Sequence, residues 1–100
     1  MKFILPMVVG ILSLHIYVHS CSSLKEKRSR IKPLIHRIHR EFNVSIAETD
    51  YQDKWTECIL SVTSASNDIK ITREVLNQVV DFIEHNFRDL EIIDNSIEIL

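Results

Sequence analysis

Three features of the 100-residue sequence predict a two-layer α+β sandwich. Apolar residues alternate at period two in four segments, they recur at helical spacing in two others, and the order along the chain is β-α-β-β-α-β. Two crossover segments of helical length place both helices on one face of a four-stranded antiparallel sheet. This is the ferredoxin-like arrangement.

The first strand lies in the apolar run from Phe3 to Val18. Val8, Gly10, Leu12, Leu14, Ile16 and Val18 share one parity there, with Ser13, His15, Tyr17 and His19 on the other. Lys2, the run and the following Ser20-Cys21 also have the outline of a short lipoprotein-type leader. A leader's apolar segment has no reason to alternate, and the run is shorter than the roughly 20 residues a membrane span needs. It is therefore assigned to the sheet.

Ser23-x-x-Glu26 is a capping box heading a helix from about Leu24 to Glu41, along which Ile31, Leu34, Ile35, Ile38 and Phe42 recur at helical spacing. Pro33 falls inside it, where the missing N–H and the ring clash cost about 3 kcal/mol in a regular helix interior. A kink or a distorted first part is the expectation. Val44, Ile46, Glu48 and Asp50 then alternate with Ser45, Ala47 and Thr49 in a second strand, and Tyr51 to Lys54 supply a polar turn. Trp55 to Ser64 alternates again, with Cys58, Leu60 and Val62 on one face and Trp55, Glu57, Ile59 and Ser61 on the other. Ser64 to Asp68 is a loop rich in N-cap residues. Ile71, Val75, Leu76, Val79, Ile83 and Phe87 trace a second helix from about Ile69 to Phe87. Ile93, Ile97 and Ile99, set against Asp94, Ser96 and Glu98, give a closing strand.

Composition removes several function classes. Gly10 is the single glycine, so neither a phosphate-cradling loop nor a dinucleotide fingerprint can be built. Cys21 and Cys58 lack the spacing of a zinc knuckle or a disulfide framework, and reduced thiols are expected. The formal net charge is only -2, but it conceals a division. Up to Arg40 the chain has eight basic residues and one acid; from Glu41 onward it has four basic residues and thirteen acids. Such asymmetry points to a charged partner surface.

Lys25, Lys27, Arg28 and Arg30 crowd the first two turns of the first helix, the end where the macrodipole already places about half a positive charge. Each exposed cation there is unfavourable by about 0.3–1 kcal/mol, and an anion would reverse that sign. Lys32, Arg37, His39 and Arg40 extend the series, making a candidate anion or nucleic-acid surface. The alternative is a solvated face paired with Glu48, Asp50 and Asp53. On the open face of the sheet, His15, Tyr17 and Trp55 have the parity for base stacking. Val9, Ile11 and Ile59 are aliphatic, however, Glu57, Asp94 and Glu98 would repel phosphates, and no RNP1 pattern is present. Val9, Ile11, Tyr17, Trp55 and Ile59 are instead expected to form a homodimer interface. His36 and His39 lack a third ligand, and Glu48, Asp50 and Asp53 resemble ordinary turn acids, so no metal site is assigned. No catalytic set, cofactor, small-molecule substrate or membrane partner is expected.

The runs Ser23-Leu24-Lys25-Glu26-Lys27-Arg28, Phe42-Asn43-Val44-Ser45-Ile46-Ala47-Glu48, Gln52-Asp53-x-Trp55 and Ser66-Asn67-Asp68 together resemble the YlxP-like family of small uncharacterised bacterial proteins. The resemblance runs from about Met7 to Leu100. It implies a ferredoxin-like fold, a cytoplasmic location, genes beside those for transcription, translation and ribosome maturation, and no established activity. Against that pattern Met1–Pro6 is a short N-terminal extension to a single domain over 7–100, and Tyr51 stands where many members have histidine. The resulting expectation is an RNA-binding module linked to translation or ribosome maturation, with RNA or a ribosomal particle as partner. The alternative is a homodimeric protein-interaction domain with no nucleic-acid role.

Overall fold

In a computed structural model, which describes residues 7–100, the chain forms β1 (Val8–Val18), α1 (Leu24–Glu41), β2 (Ser45–Asp50), β3 (Glu57–Ser66), α2 (Ile69–Asn86) and β4 (Leu90–Ile99). The expected extension Met1–Pro6 lies outside the described residues. The strands pair antiparallel in the order β2-β3-β1-β4, which puts the apolar β1 at the centre beside β3. This is the predicted ferredoxin-like sandwich. Leu12 lies opposite Val62 and Ile97, Leu14 opposite Leu60, and Ile16 opposite Cys58. These side chains face the helices and meet Ile31, Leu34 and Ile38 of α1 and Leu76, Val79 and Ile83 of α2 in one buried core.

Three expectations are corrected. The parity of β4 changes at a bulge, where Asp94 opposes His15 but Ile92 opposes Ile16. The extra residue, Ile93, is displaced outward and is 47% exposed, while Ile92 takes the position against the core. β3 begins at Glu57, so Trp55 stays in the preceding loop, 52% exposed, and strand parity does not place it on the sheet face. Finally, α1 is helical throughout from Leu24 to Glu41, so its part before Pro33 is not unwound. Pro33 and Ser29, whose carbonyl would have accepted the missing N–H, are both exposed, so water can satisfy that carbonyl.

Gly10 is required by packing, not by backbone conformation. A Cβ there would come within 2.5 Å of Thr72 Cγ2 and 2.9 Å of Leu76 Cδ1, so α2 lies directly on the β1 backbone. Thr72 is held in place by a 2.6 Å hydrogen bond between its Oγ1 and Ser66 Oγ. Gly10→Ala is predicted to lower stability by about 1–3 kcal/mol through overpacking. Adding Thr72→Ser, which removes the opposing methyl and keeps the hydroxyl, should recover part of that loss in urea unfolding. Additive effects of the two substitutions would contradict the contact as the cause.

Candidate nucleic-acid interface

The basic residues of α1 separate into two groups once the helix is docked. Lys27 falls one turn before Ile31 and shares its inward face with Ile31, Leu34 and Ile38. Its side chain is 2% exposed. An ammonium so buried requires polar partners. Lys27 Nζ donates to the Tyr51 carbonyl at 2.6 Å and lies 2.9 Å from Glu48 Oε2. The carboxylate oxygen is off the line of a good hydrogen bond, so the directed bond goes to Tyr51 and the Glu48 contact is an ion pair. Lys27 is therefore not available to an external anion, and of the three proposed acidic partners Glu48 is the one that pairs with it. Tyr51 has φ 63°, an unusual conformation for a bulky residue. Its ring lies 5.5 Å from that of His15 and 4.2 Å from Lys54 Nζ.

Cys58 lies in the same part of the core. Burial, reinforced by the Glu48 carboxylate and opposed by Lys27, pushes its thiol up to about 12. A thiol in that state is a poor nucleophile at neutral pH.

Arg30 and Arg37 are also engaged. Arg30 Nε donates to Asp89 Oδ2 at 2.8 Å, and its Nη1 donates to the His19 carbonyl at 2.6 Å, joining the β1–α1 and α2–β4 connections. Arg37 places its guanidinium 4.9 Å from the centre of the Phe82 ring and 5.6 Å from that of Phe87. Two members of the predicted set are thus tethers between elements.

The others point outward. Lys25, Arg28, Lys32, His36 and His39 are all exposed and follow one another at spacings of three and four, which is a single stripe opposite the buried face. Arg40 flanks its end and is exposed too. The stripe is about 21 Å long at 1.5 Å per residue. Among the described residues none of its members takes part in an ion pair. The helix terminus itself is already occupied: Ser23 Oγ accepts from the Glu26 N–H at 3.0 Å, and Glu26 Oε2 accepts from the Ser22 N–H at 2.7 Å. The Glu26 carboxylate sits where a phosphate would, which leaves the side of α1, and not its N-terminus, as the candidate anion surface.

The open sheet face is more polar than its sequence suggested. Ser13 lies between Ser61 and Ser96 across three strands, and Thr49 Oγ1 and Ser61 Oγ share a 2.7 Å hydrogen bond. Val9, Ile11, Tyr17 and Ile59 are partly exposed on this face. His15 Nε2 pairs with Glu57 Oε1 at 2.8 Å, and this bond above all holds the Glu57 carboxyl below its ordinary range. No group of three His, Cys, Asp or Glu side chains among the described residues is placed to hold a metal. No helix among them is long and apolar enough to cross a membrane. A feature that helix periodicity could not reveal is a groove of about 370 Å³ lined by Phe42, Gln78, Asp81, Phe82 and His85. A larger hollow of about 490 Å³ lies on the other side of His85 and carries His19, Glu84, Arg88 and Glu91, charges of both signs.

Three outcomes are expected. Lys27→Met should cost about 3–5 kcal/mol in denaturant unfolding, because it leaves the Glu48 carboxylate unpaired. Lys27→Met with Glu48→Met should recover most of that loss, and a double variant as unstable as the single would contradict the pairing. The Glu26 carboxyl is held below its ordinary value of 4.5, chiefly by the Ser22 N–H. A depressed carboxyl contributes stability above its unfolded value and loses it as pH falls through the folded one. The stability difference between the protein and Glu26→Gln should therefore be constant from neutral pH to about 5 and shrink below about 4.5.

Residues 9–97 match the family described as "Protein of unknown function (DUF503)". "Uncharacterized protein YlxP" of Bacillus subtilis (strain 168) is 32% identical over 84 residues, which are 84% of this chain and 90% of that protein. Among solved structures, the de novo designed protein Foldit4 superposes with a TM-score of 0.54 at 15% identity, over 94% of this chain and 96% of that one. The C-terminal segment of the alpha subunit of aIF2 from Pyrococcus abyssi gives 0.51 at 17%, over 95% of this chain and 50% of that one. At these identities the two structures speak to the fold alone. The family match over nearly the whole domain, with a relative that shares the four sequence blocks' span, makes this chain a member of the DUF503, YlxP-like family.

Proposed function

We propose that the protein is an RNA-binding module that holds the phosphate backbone along the exposed side of α1, acting in translation or ribosome maturation. The observation that carries this reading is the unpaired stripe of Lys25, Arg28, Lys32, His36 and His39, flanked by Arg40. A solvated helix face ordinarily mixes charges of both signs, whereas the stripe positions carry no acid and the one acid between Lys25 and Arg40, Glu26, is turned back onto the helix terminus. Phosphate contacts from such side chains supply most of the affinity of sequence-tolerant binding. The link to translation comes from the YlxP-like resemblance and its gene neighbours.

A homodimer through the open sheet face is the competing reading, favoured by the half-exposed Val9, Ile11 and Ile59. The row of Ser13, Ser61 and Ser96 across the middle of that face weighs against it. If the purified protein is a dimer, Ile59→Lys should convert it to a monomer on sizing; persistence of the dimer would locate its interface elsewhere.

Four phosphates neutralised by Lys25, Arg28, Lys32 and Arg40 predict roughly 50-fold weaker binding of single-stranded RNA between 50 and 200 mM salt. Lys25→Glu with Arg28→Glu and Lys32→Glu should abolish binding. The first two substitutions also put acids near the helix N-terminus, where they are favourable, so the melting temperature should hold or rise. No retention of RNA at low salt would overturn the reading, as would unchanged affinity of the folded triple variant.

A further inference from the structure

We infer that the groove between the C-cap of α1 and the C-terminal half of α2 seats an unpaired base of the RNA whose phosphates follow the α1 stripe, an inference that rests on the RNA reading above. The groove of about 370 Å³ is shallow and widely open to solvent, a surface against which a flat base can lie without being enclosed. Phe42 and Phe82 line it, with ring centroids 5.6 Å apart and planes at 86°. The basic stripe ends beside it: His39 and Arg40 are exposed at the last turn of α1, and Phe42 is the residue that caps that helix. Arg37 lies over Phe82, which adds a cation to the same aromatic wall. A backbone running along α1 is thus brought to an aromatic surface at its end, the combination by which sequence-tolerant single-strand binding works.

The charges on the two banks differ in the sense that such a ligand requires. On the α1 side the groove is lined by Phe42, and the exposed cations His39 and Arg40 stand on the helix turn just before it. The α2 bank presents Gln78 and Asp81, both exposed and with no side-chain hydrogen-bond partner among the described residues. An acid would repel a phosphate, but the edge of a base is neutral and offers donors. The Asp81 carboxylate can accept from an exocyclic amino group, and the Gln78 amide can both donate and accept. A double-stranded helix, with its bases stacked inside, does not present a base to such a groove, so the ligand is single-stranded.

The test compares a short adenine-rich single-stranded RNA with the same strand carrying abasic riboses, by fluorescence anisotropy at low salt. The adenine strand should bind about 10-fold more tightly, the size expected for stacking of a base on an aromatic side chain. Phe82→Leu should remove most of that ratio and leave abasic binding unchanged. Gln78→Ala with Asp81→Ala, two exposed positions where folding is not at issue, should reduce the ratio several-fold. Equal affinity for the two strands, or a ratio unaffected by the Gln78 and Asp81 substitutions, would overturn the base seat while the phosphate reading stands. Failure of both strands to bind would overturn both.

Discussion

The ammonium of Lys27, buried between α1 and the end of β2, is the constraint around which the charged side of α1 is arranged. An ion taken out of water is tolerated only where its partners are fixed, and here they are the Tyr51 carbonyl and the Glu48 carboxylate. Together with the apolar stripe of Ile31, Leu34 and Ile38, meeting them fixes which side of α1 faces the sheet. With Lys27, Ile31, Leu34 and Ile38 turned inward, the positions between them are turned to solvent, and these are Lys25, Arg28, Lys32, His36 and His39. The same contact reaches the loop after β2, because Tyr51 offers its carbonyl from a positive-φ conformation while its ring lies against His15 and Lys54.

Charge in this domain serves two separate ends. Lys27, Arg30 and Arg37 connect elements distant in sequence: the first joins α1 to β2, the second joins α1 to the connection before β4, and the third joins it to the aromatic side chains of α2. Among the described residues the outward cations have no such partners. The unequal division of charge between the two parts of the chain is therefore partly structural, with acids such as Glu48 and Asp89 supplied by later elements to the bases of α1. Among the described residues, the cations of α1 outside these contacts lie along one side of the helix.

Much of the fold was legible because the strands and helices keep their periods. The capping box at Ser23 and Glu26 marked the start of α1, and the alternation from Val8 to Val18 marked the central strand. The misreadings have local physical causes. Glu91-Ile92-Ile93-Asp94 contains two adjacent isoleucines, and which of them faces the core is decided by the register with β1, not by the local pattern. Lys27 did carry a signal, since it stands four, seven and eleven residues before Ile31, Leu34 and Ile38, but counting lysines as surface residues hides it. Arg37 carried none, because Phe82 and Phe87 reach it from another helix. The groove was illegible for the same reason. Phe42 ends the apolar stripe of α1 while Phe82 lies beside that of α2, and only docking of the helices brings them together.

The division of α1 into buried and outward cations, and the proposed RNA contact of the latter, is most directly tested by lysine acetylation of the native protein, read residue by residue by mass spectrometry with and without single-stranded RNA. Lys27 should resist the reagent in both states, while Lys25 and Lys32 react freely and become protected when RNA is added. Rapid modification of Lys27 in the folded protein, or equal modification of Lys25 and Lys32 with and without saturating RNA, would contradict the account.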